Sequence, residues 1–238
     1  DKIEQNIILP FNDEEEKLYV ANLAEANKEL QELYDLEGSD NMQILKLLTR
    51  LRQLCLEPRL VYDNIDQPSS KLKACMELIK TMQENKQKVL LFSSFTSVLD
   101  LIAEECQKAG ITYYMLTGST NKEDRRELVS RFQKDDTTVF LISLKAGGTG
   151  LNLTSAEAVI HFDPWWNVSA QNQATDRAYR IGQKNNVQVF NLVMKDSVEE
   201  KIIELQKRKK ELADMFVENN SGGLSQMSKE DILSLFTM

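Results

Sequence analysis

The sequence predicts an α/β fold with a parallel sheet between two layers of helices. Two observations carry that prediction. From residue 70 onward, short runs rich in apolar and β-branched residues alternate with helical stripes, the rhythm of a parallel sheet with crossover helices. The first such run, Val89-Leu90-Leu91-Phe92, is continuously apolar, as a strand is when both faces of its sheet are covered. Ligands of such a sheet sit beyond the carboxyl ends of its strands.

The elements follow in order. Tyr19, Leu23, Ala26, Leu30 and Leu33 recur at spacings of four and three, which predicts an amphipathic helix over about 12–37. Asn12 suits its N-cap, Asp13 to Glu16 suit the positive end of its dipole, and Gly38-Ser39-Asp40 ends it. A second helix over about 41–56 carries Ile44, Leu47, Leu48, Leu51, Leu54 and Cys55, stops before Pro58 and pairs with the first; the polar stretch 62–70 reads as a linker. Lys71–Glu84 is the next helix, followed by the Val89 strand and a helix carrying Val98, Leu99, Ile102, Ala103 and Cys106 that stops at Gly110. Strands follow at Ile111–Leu116, Thr138–Ser143, Ala158–Phe162 and Val187–Met194, with helices at Asn121–Lys134 and about 168–180. Thr120-x-x-Glu123 and Ser197-x-x-Glu200 fit capping boxes. A last long helix over about 197–217 carries Val198, Ile202, Leu205, Leu212 and Phe216, interrupted by Lys209, and the tail is irregular until Lys229–Phe236. These divide the chain into a helical segment (1–65), the α/β domain (66–195), a surface helix (196–218) and a short tail (219–238).

Composition narrows the function. With 42% hydrophobic and 28% charged residues the chain is globular, and no apolar run approaches the ~20 residues that span a bilayer, so no membrane partner is expected. It opens Asp1-Lys2-Ile3 without Met or a leader, the reading of a piece of something longer. Three separated cysteines and the single His161 supply neither a zinc set nor a disulfide framework; the cysteines read as core residues of a reducing compartment, and no metal site is expected. The net charge of −8 is uneven: residues 1–40 hold twelve acids and three bases, the rest 25 acids and 26 bases. Bulk charge therefore argues against nucleic acid, while the main body can still carry a local basic face.

Three segments carry chemistry. Ala146-Gly147-Gly148-Thr149-Gly150 follows a strand and either aims backbone N–H groups at an anion or forms a tight turn; it is neither a Walker A loop nor GxGxxG. Gln173, Arg177 and Arg180 lie on one face of the expected 168–180 helix, where paired arginines hold an anion such as a phosphate or form a solvated charged face. Asp163-Pro164-Trp165-Trp166-Asn167 holds both tryptophans at a strand end, so one ring can point inward while its neighbour meets a partner or packs as well. His161, in an apolar strand without companions, reads as structural.

Taken in order, Phe92-Ser-Ser-Phe95, Leu116-Thr-Gly-Ser-Thr120, Ser143-x-Lys145-Ala-Gly-Gly-Thr-Gly-Leu-Asn-Leu153, Asp163-x-Trp165-Trp166-Asn167 and Gln173-x-x-x-Arg177-x-x-Arg180-Ile-Gly-Gln183 resemble helicase motifs IV, IVa, V, Va and VI of the SWI/SNF-type superfamily 2 DNA-dependent ATPases. The resemblance covers about residues 45–216, and the acidic helical start and short tail resemble bacterial members. It implies the second RecA-like lobe of an ATP-driven double-stranded DNA translocase: a P-loop-NTPase-like sheet without a Walker A, preceded by a helical segment and followed by a brace helix. By the same resemblance Arg177 and Arg180 are arginine fingers, and Gln173, Gly150 and Asn152 lie at the nucleotide. Ser93, Ser94, Gly118, Ser119, Lys145 and Gly147 lie at phosphates of the tracked strand, and Trp166 approaches the DNA.

Tyr179 stands where the family commonly has His and Val168 where it commonly has Pro, departures that touch no phosphate contact. No Walker A lysine and no Asp-Glu-x-His box occur, so ATP with Mg²⁺ is expected to be held mainly by a first RecA-like lobe. The implied partners are duplex DNA and that lobe, the implied setting a bacterial cytoplasm and its nucleoid, and this chain alone is expected to be inactive. The competing readings are a strand-separating helicase lobe, a Rossmann-like cofactor enzyme, and an interaction module built on the acidic helices.

Overall fold

The computed structural model describes residues 2–36, 41–147, 150–178, 186–213 and 227–238. In chain order the elements are β1 (Lys2–Leu9), α1 (Asp13–Asp35), α2 (Asn41–Leu56), a 3-10 turn (Pro58–Leu60), α3 (Ser70–Glu84), β2 (Val89–Ser93), α4 (Thr96–Lys108), β3 (Tyr113–Leu116), α5 (Lys122–Lys134), β4 (Val139–Ser143), α6 (Leu144–Gly147), β5 (Ala158–His161), α7 (Val168–Thr175), β6 (Val187–Met194), α8 (Val198–Ala213) and α9 (Lys229–Leu235). They form two compact units, one of Asp1–Ile8 with Leu72–Val193, the other of Leu9–Lys71 with Met194–Met238.

The first unit is built on a six-stranded sheet ordered β1-β6-β5-β2-β4-β3, and β2 to β6 pair in parallel. Strands β2, β4 and β5 are buried at every residue, as their continuous apolar runs require. Leu90, Phe92, Phe140, Ile142 and Val159 point to one face, where they join Phe132 of α5 and Ala174 of α7 in a single core cluster. The alternate residues Val89, Leu91, Val139 and Leu141 face the other way, toward the side on which α4 packs against β2, β3 and β4. The chain moves from β2 past β4 to β3 and then back toward β5 and β6. Right-handed crossovers place helices on opposite faces when that direction reverses.

Residues 2–9 correct the reading of 1–65 as helical: Lys-Ile-Glu-Gln-Asn-Ile-Ile-Leu is a strand that extends the sheet beyond β6. The mostly buried β6 offers a row of backbone groups that must be paired, and β1 pairs them. Two cap readings also change. α5 is capped by Asn121, whose side chain accepts from the Asp124 N–H, while Thr120 Oγ1 accepts from the Thr117 N–H inside the preceding loop. Ser197 Oγ accepts from the Glu199 N–H at 3.1 Å, and the Glu200 carboxylate reaches the Asp196 N–H, so no reciprocal box forms there.

The second unit is helical. In α1 the expected stripe is buried at Tyr19, Leu23, Ala26 and Leu30, and Asn12 caps it in a full capping box with Glu15. Arg50 of α2 donates to Asn22 Oδ1 of α1 at 2.7 Å, and α8 packs on both α2 and α9. The Gly38 turn, Leu212 and Phe216 lie outside the described residues or side chains. All three cysteines are buried; burial pushes the Cys106 thiol up to about 12 and the Cys55 thiol well above its ordinary range, where both are inert core groups. Among the described residues no helix is long and apolar enough to cross a membrane.

Lys71 and Glu199 form a fully buried ion pair in this unit, with Lys71 Nζ 2.6 and 2.7 Å from the two carboxylate oxygens. Glu199 Oε1 also accepts from the Met194 N–H at 3.2 Å. Removing one partner strands a charge in a dry site, which costs far more than the pair contributes on balance. Lys71→Met is expected to lower unfolding free energy in urea by about 3–5 kcal/mol, and Lys71→Met with Glu199→Leu to recover more than half of it. Equal losses in the single and double variants would contradict this account.

Candidate functional site

Register brings the motif residues to one edge. Ser93 at the end of β2 pairs with Ser143 at the end of β4, Phe92 with His161 of β5, and Leu116 of β3 with Ile142. Each loop leaving a carboxyl end of these strands therefore emerges on the same side of the sheet, where a ligand crevice is expected.

The loops after β2 and β5 are tied by Asp163. Its Oδ1 accepts from Ser93 Oγ at 2.7 Å and from the Ser94 N–H at 3.0 Å, and Ser93 Oγ accepts in turn from the Phe95 N–H at 3.1 Å. Ser93 has 0% and Asp163 1% of its surface exposed. This corrects the placement of Ser93 among phosphate contacts: its hydroxyl is committed inside the protein and positions the loop. Ser94, half-buried, stands at the rim. Motif reading by resemblance missed Asp163 as a functional residue; an acid closing an apolar strand just before Pro-Trp-Trp was the available signal.

The loops after β3 and β4 meet as well. Thr117 Oγ1 and Ser119 Oγ lie 2.8 Å apart and Thr120 Oγ1 accepts from the Thr117 N–H, so the loop is braced by its own hydroxyls while Gly118 and Ser119 face solvent. A Cβ on Gly118 would lie 3.7 Å from Lys145 Cβ, which puts the exposed Lys145 beside them. Gly147, expected at a phosphate, is buried. A Cβ there would come within 3.3 Å of Phe92 Cε1, so this glycine serves the close seating of α6 on the Phe92 ring. Gly148 and Thr149 lie outside the described residues.

A second cluster surrounds Arg177. Gly150 is exposed with φ +49°, a left-handed conformation that favours glycine, and Asn152 beside it is exposed. The Leu153 N–H donates to the Arg177 carbonyl at 3.1 Å, which brings the Gly150–Asn152 segment against Arg177. The expected 168–180 helix is shorter than its stripe. It is capped by Asn167, ends at Thr175, and continues as turns in which the Arg177 and Ala178 N–H groups bond the Ala174 and Thr175 carbonyls. The turns that follow present the Arg177 carbonyl to the Leu153 N–H. Arg177 is 6% exposed and Gln173 stands exposed on α7, so the two do not share one continuous helix face. Arg180 and Gln183 lie outside the described residues.

Of the two tryptophans, Trp165 is buried and Trp166 half-buried, the split expected for adjacent residues on extended chain. Trp165 stands edge-on to Phe92 at 6.1 Å and to His161 at 5.6 Å. His161 stacks on Phe92, and its Nε2 lies 2.9 Å from Thr175 Oγ1 of α7. Burial, with the Lys2 charge adding to it, pushes His161 down to about 3, so the ring is neutral and structural. Among the described residues no three His, Cys, Asp or Glu side chains converge as a metal site. The donors present include guanidinium, ammonium, hydroxyl and backbone N–H, a set that suits phosphate oxygens.

Residues 70–182 match the helicase conserved C-terminal domain. The chain is 36% identical over 236 residues to an uncharacterized ATP-dependent helicase of Mycoplasma pneumoniae, a match covering 99% of this chain and 22% of that protein. The chain spans about a quarter of the length of the curated relatives it matches. Among solved structures, the Sulfolobus solfataricus SWI2/SNF2 ATPase C-terminal domain superposes with a TM-score of 0.79 at 27% identity, covering 99% of this chain and 98% of that one. The Sulfolobus SWI2/SNF2 ATPase core in complex with dsDNA gives 0.81 at 30% identity, covering 98% of this chain and 50% of that one.

The buried neutral His161 sets a pH dependence. Unfolded, the imidazole takes a proton below about 6.5; folded, it does not until about 3, so stability is lost as pH falls through that window. At pH 5 the loss amounts to about 2 kcal/mol. As His161 is the chain's only histidine, His161→Phe is expected to flatten the decline in urea-unfolding free energy between pH 7 and 5. An unchanged slope in the variant would assign that decline to carboxylates instead.

Proposed function

Since this chain is the helicase C-terminal lobe of a SWI2/SNF2-type ATPase, we propose that it works as the second motor lobe of an ATP-driven translocase on double-stranded DNA. The Leu153–Arg177 hydrogen bond carries the reading: it gathers Gly150, Asn152 and Arg177 on one side, while Ser94, Gly118, Ser119 and Lys145 line the loops at the sheet's carboxyl edge.

In this reading Arg177 and Arg180 reach the γ-phosphate of ATP held across a cleft by a first RecA-like lobe, and stabilise the charge that spreads over its oxygens during transfer. Gln173, Gly150 and Asn152 complete the nucleotide side. Mg²⁺ is held mainly by the first lobe, as the donors here suit phosphate; bound there, it neutralises charge on the phosphates. Ser94, Ser119 and Lys145 contact phosphates of one strand, with Gly118 letting the backbone approach, and Trp166 borders the DNA. Ser93 and Gly147 position these loops from within. Such contacts read backbone and not bases, so binding is independent of sequence. The relatives' ATP dependence and the duplex DNA in the Sulfolobus core complex support this reading. The setting that fits is the nucleoid of a bacterial cytoplasm.

The test is ATP hydrolysis by the complete polypeptide with and without duplex DNA. Duplex DNA is expected to stimulate the wild type, and Arg177→Ala and Arg180→Ala each to lower the stimulated rate about 100-fold or more. This chain by itself is expected to show no turnover above buffer. Hydrolysis indifferent to DNA or to both arginines would overturn the assignment.

A further inference from the structure

A continuous line of side-chain amides runs under α7. Asn191 of β6, 8% exposed, lies beside His161 in the sheet. Its Nδ2 donates to Glu4 Oε1 at 3.0 Å and Asn6 Oδ1 at 2.9 Å, both on β1. Its Oδ1 accepts from Gln171 Nε2 at 3.1 Å, and Gln171 Oε1 accepts from the Trp165 backbone N–H at 3.2 Å. The sheet's edge strand is thus joined through two amides to the tryptophan segment, every bond running within one compact unit. One turn along α7 from Gln171, Thr175 meets His161, so two polar contacts on one helix face fix the pose of α7 on the sheet.

We propose that Asn191 is a positioning residue for the DNA-facing edge: with Gln171 it transmits the placement of β1 to α7 and to the Trp165–Trp166 segment. The chemistry supports a positioning role over a general stabilising one. An apolar pair at 171 and 191 would fill the same space without needing a direction, whereas an amide relay holds only when donors and acceptors are in register. A carboxamide is the side chain that can serve here, because it accepts from α7 through one atom and donates to β1 through the other. The output end is a backbone N–H beside the half-buried Trp166, and α7 carries Gln173 and leads into Arg177. The inference rests on the translocase-lobe reading above.

The experiment titrates this chain with duplex DNA of mixed sequence and follows its tryptophan emission; Trp165 and Trp166 are its only tryptophans, so the signal reports on that segment. The variants are Asn191→Leu, Gln171→Leu, their combination, and Glu4→Gln, which keeps an acceptor for Asn191. Each leucine variant is expected to shift the emission and to weaken binding about tenfold, as loss of one buried polar link does. The double variant is expected to be no weaker than the worse single, since both break one relay, and Glu4→Gln to bind as the wild type does. Leucine variants with wild-type emission and affinity, or effects that add, would overturn the proposal. If Asn191→Leu does not fold, Asn191→Asp decides: of the same shape, it keeps the acceptor for Gln171 but loses both donors to β1, and wild-type behaviour there overturns the β1 half of the relay. A wild-type chain that ignores duplex DNA overturns the translocase-lobe reading itself.

Discussion

The site depends first on one buried carboxylate. Moving an acid group out of water is costly unless hydrogen bonds replace its hydration, and Asp163 receives them from Ser93 Oγ and the Ser94 N–H. Those donors belong to the end of β2, while Asp163 follows β5, so satisfying the carboxylate sets the distance between two loops that are 69 or 70 residues apart in sequence. Beneath this tie lies Phe92, whose ring meets Gly147, His161 and Trp165. The glycine turn after β4, the tryptophan segment after β5 and the serine loop after β2 therefore share one wall. Displacing any of them opens space beside that ring or leaves the carboxylate short of a donor.

This arrangement separates two tasks on one sheet edge. The loops after β2, β3 and β4 present hydroxyls, one lysine and backbone, and they are braced internally by the Thr117–Ser119–Thr120 hydroxyls and by Asp163. The Gly150–Asn152 segment is held to Arg177 by a main-chain hydrogen bond from Leu153. Helix α7 stands between them: it begins at Asn167 beside the tryptophans and ends two residues before Arg177. In the proposed reading a change at the nucleotide reaches the DNA-facing segment through this short helix. That makes its seating on His161 and Asn191 a matter of mechanism as well as of stability.

Much of the fold was legible because it follows from period and burial. Continuous apolar runs marked β2, β4 and β5, and spacings of three and four marked α1, α2 and α4, since the same burial that stabilises these elements dictates their patterns. β1 was not legible: Lys2–Leu9 has neither a stripe nor a clean alternation, and its conformation is imposed by the edge of β6. The end of α7 escaped for the same kind of reason. The stripe Gln173-Arg177-Arg180 continues as sequence, but α7 ends at Thr175 and the turns after it bond the Leu153 segment through the Arg177 carbonyl. At the site, spacing located the motif loops but could not say which of their residues face outward. Ser93 and Ser94 are identical in type and adjacent in sequence, yet one is sealed inside and the other stands at the rim. That difference is set by Asp163, far away in the chain.

The charge distribution bears on how such an edge would hold DNA. The acidic excess lies in the first forty residues, and the remainder is nearly balanced, so net charge alone does not draw a polyanion to this lobe. In the proposed reading attraction comes from short-range groups, among them Lys145, a few hydroxyls and backbone N–H donors, each effective only at contact. Every phosphate neutralised by a cation releases counterions and adds affinity that must be overcome before the next step. Neutral donors contribute less apiece and are exchanged for water at little cost. In the proposed reading, a lobe that grips and releases a backbone repeatedly is better served by a few cations among many neutral donors than by a lysine-rich face, and the described residues of this edge are of that kind.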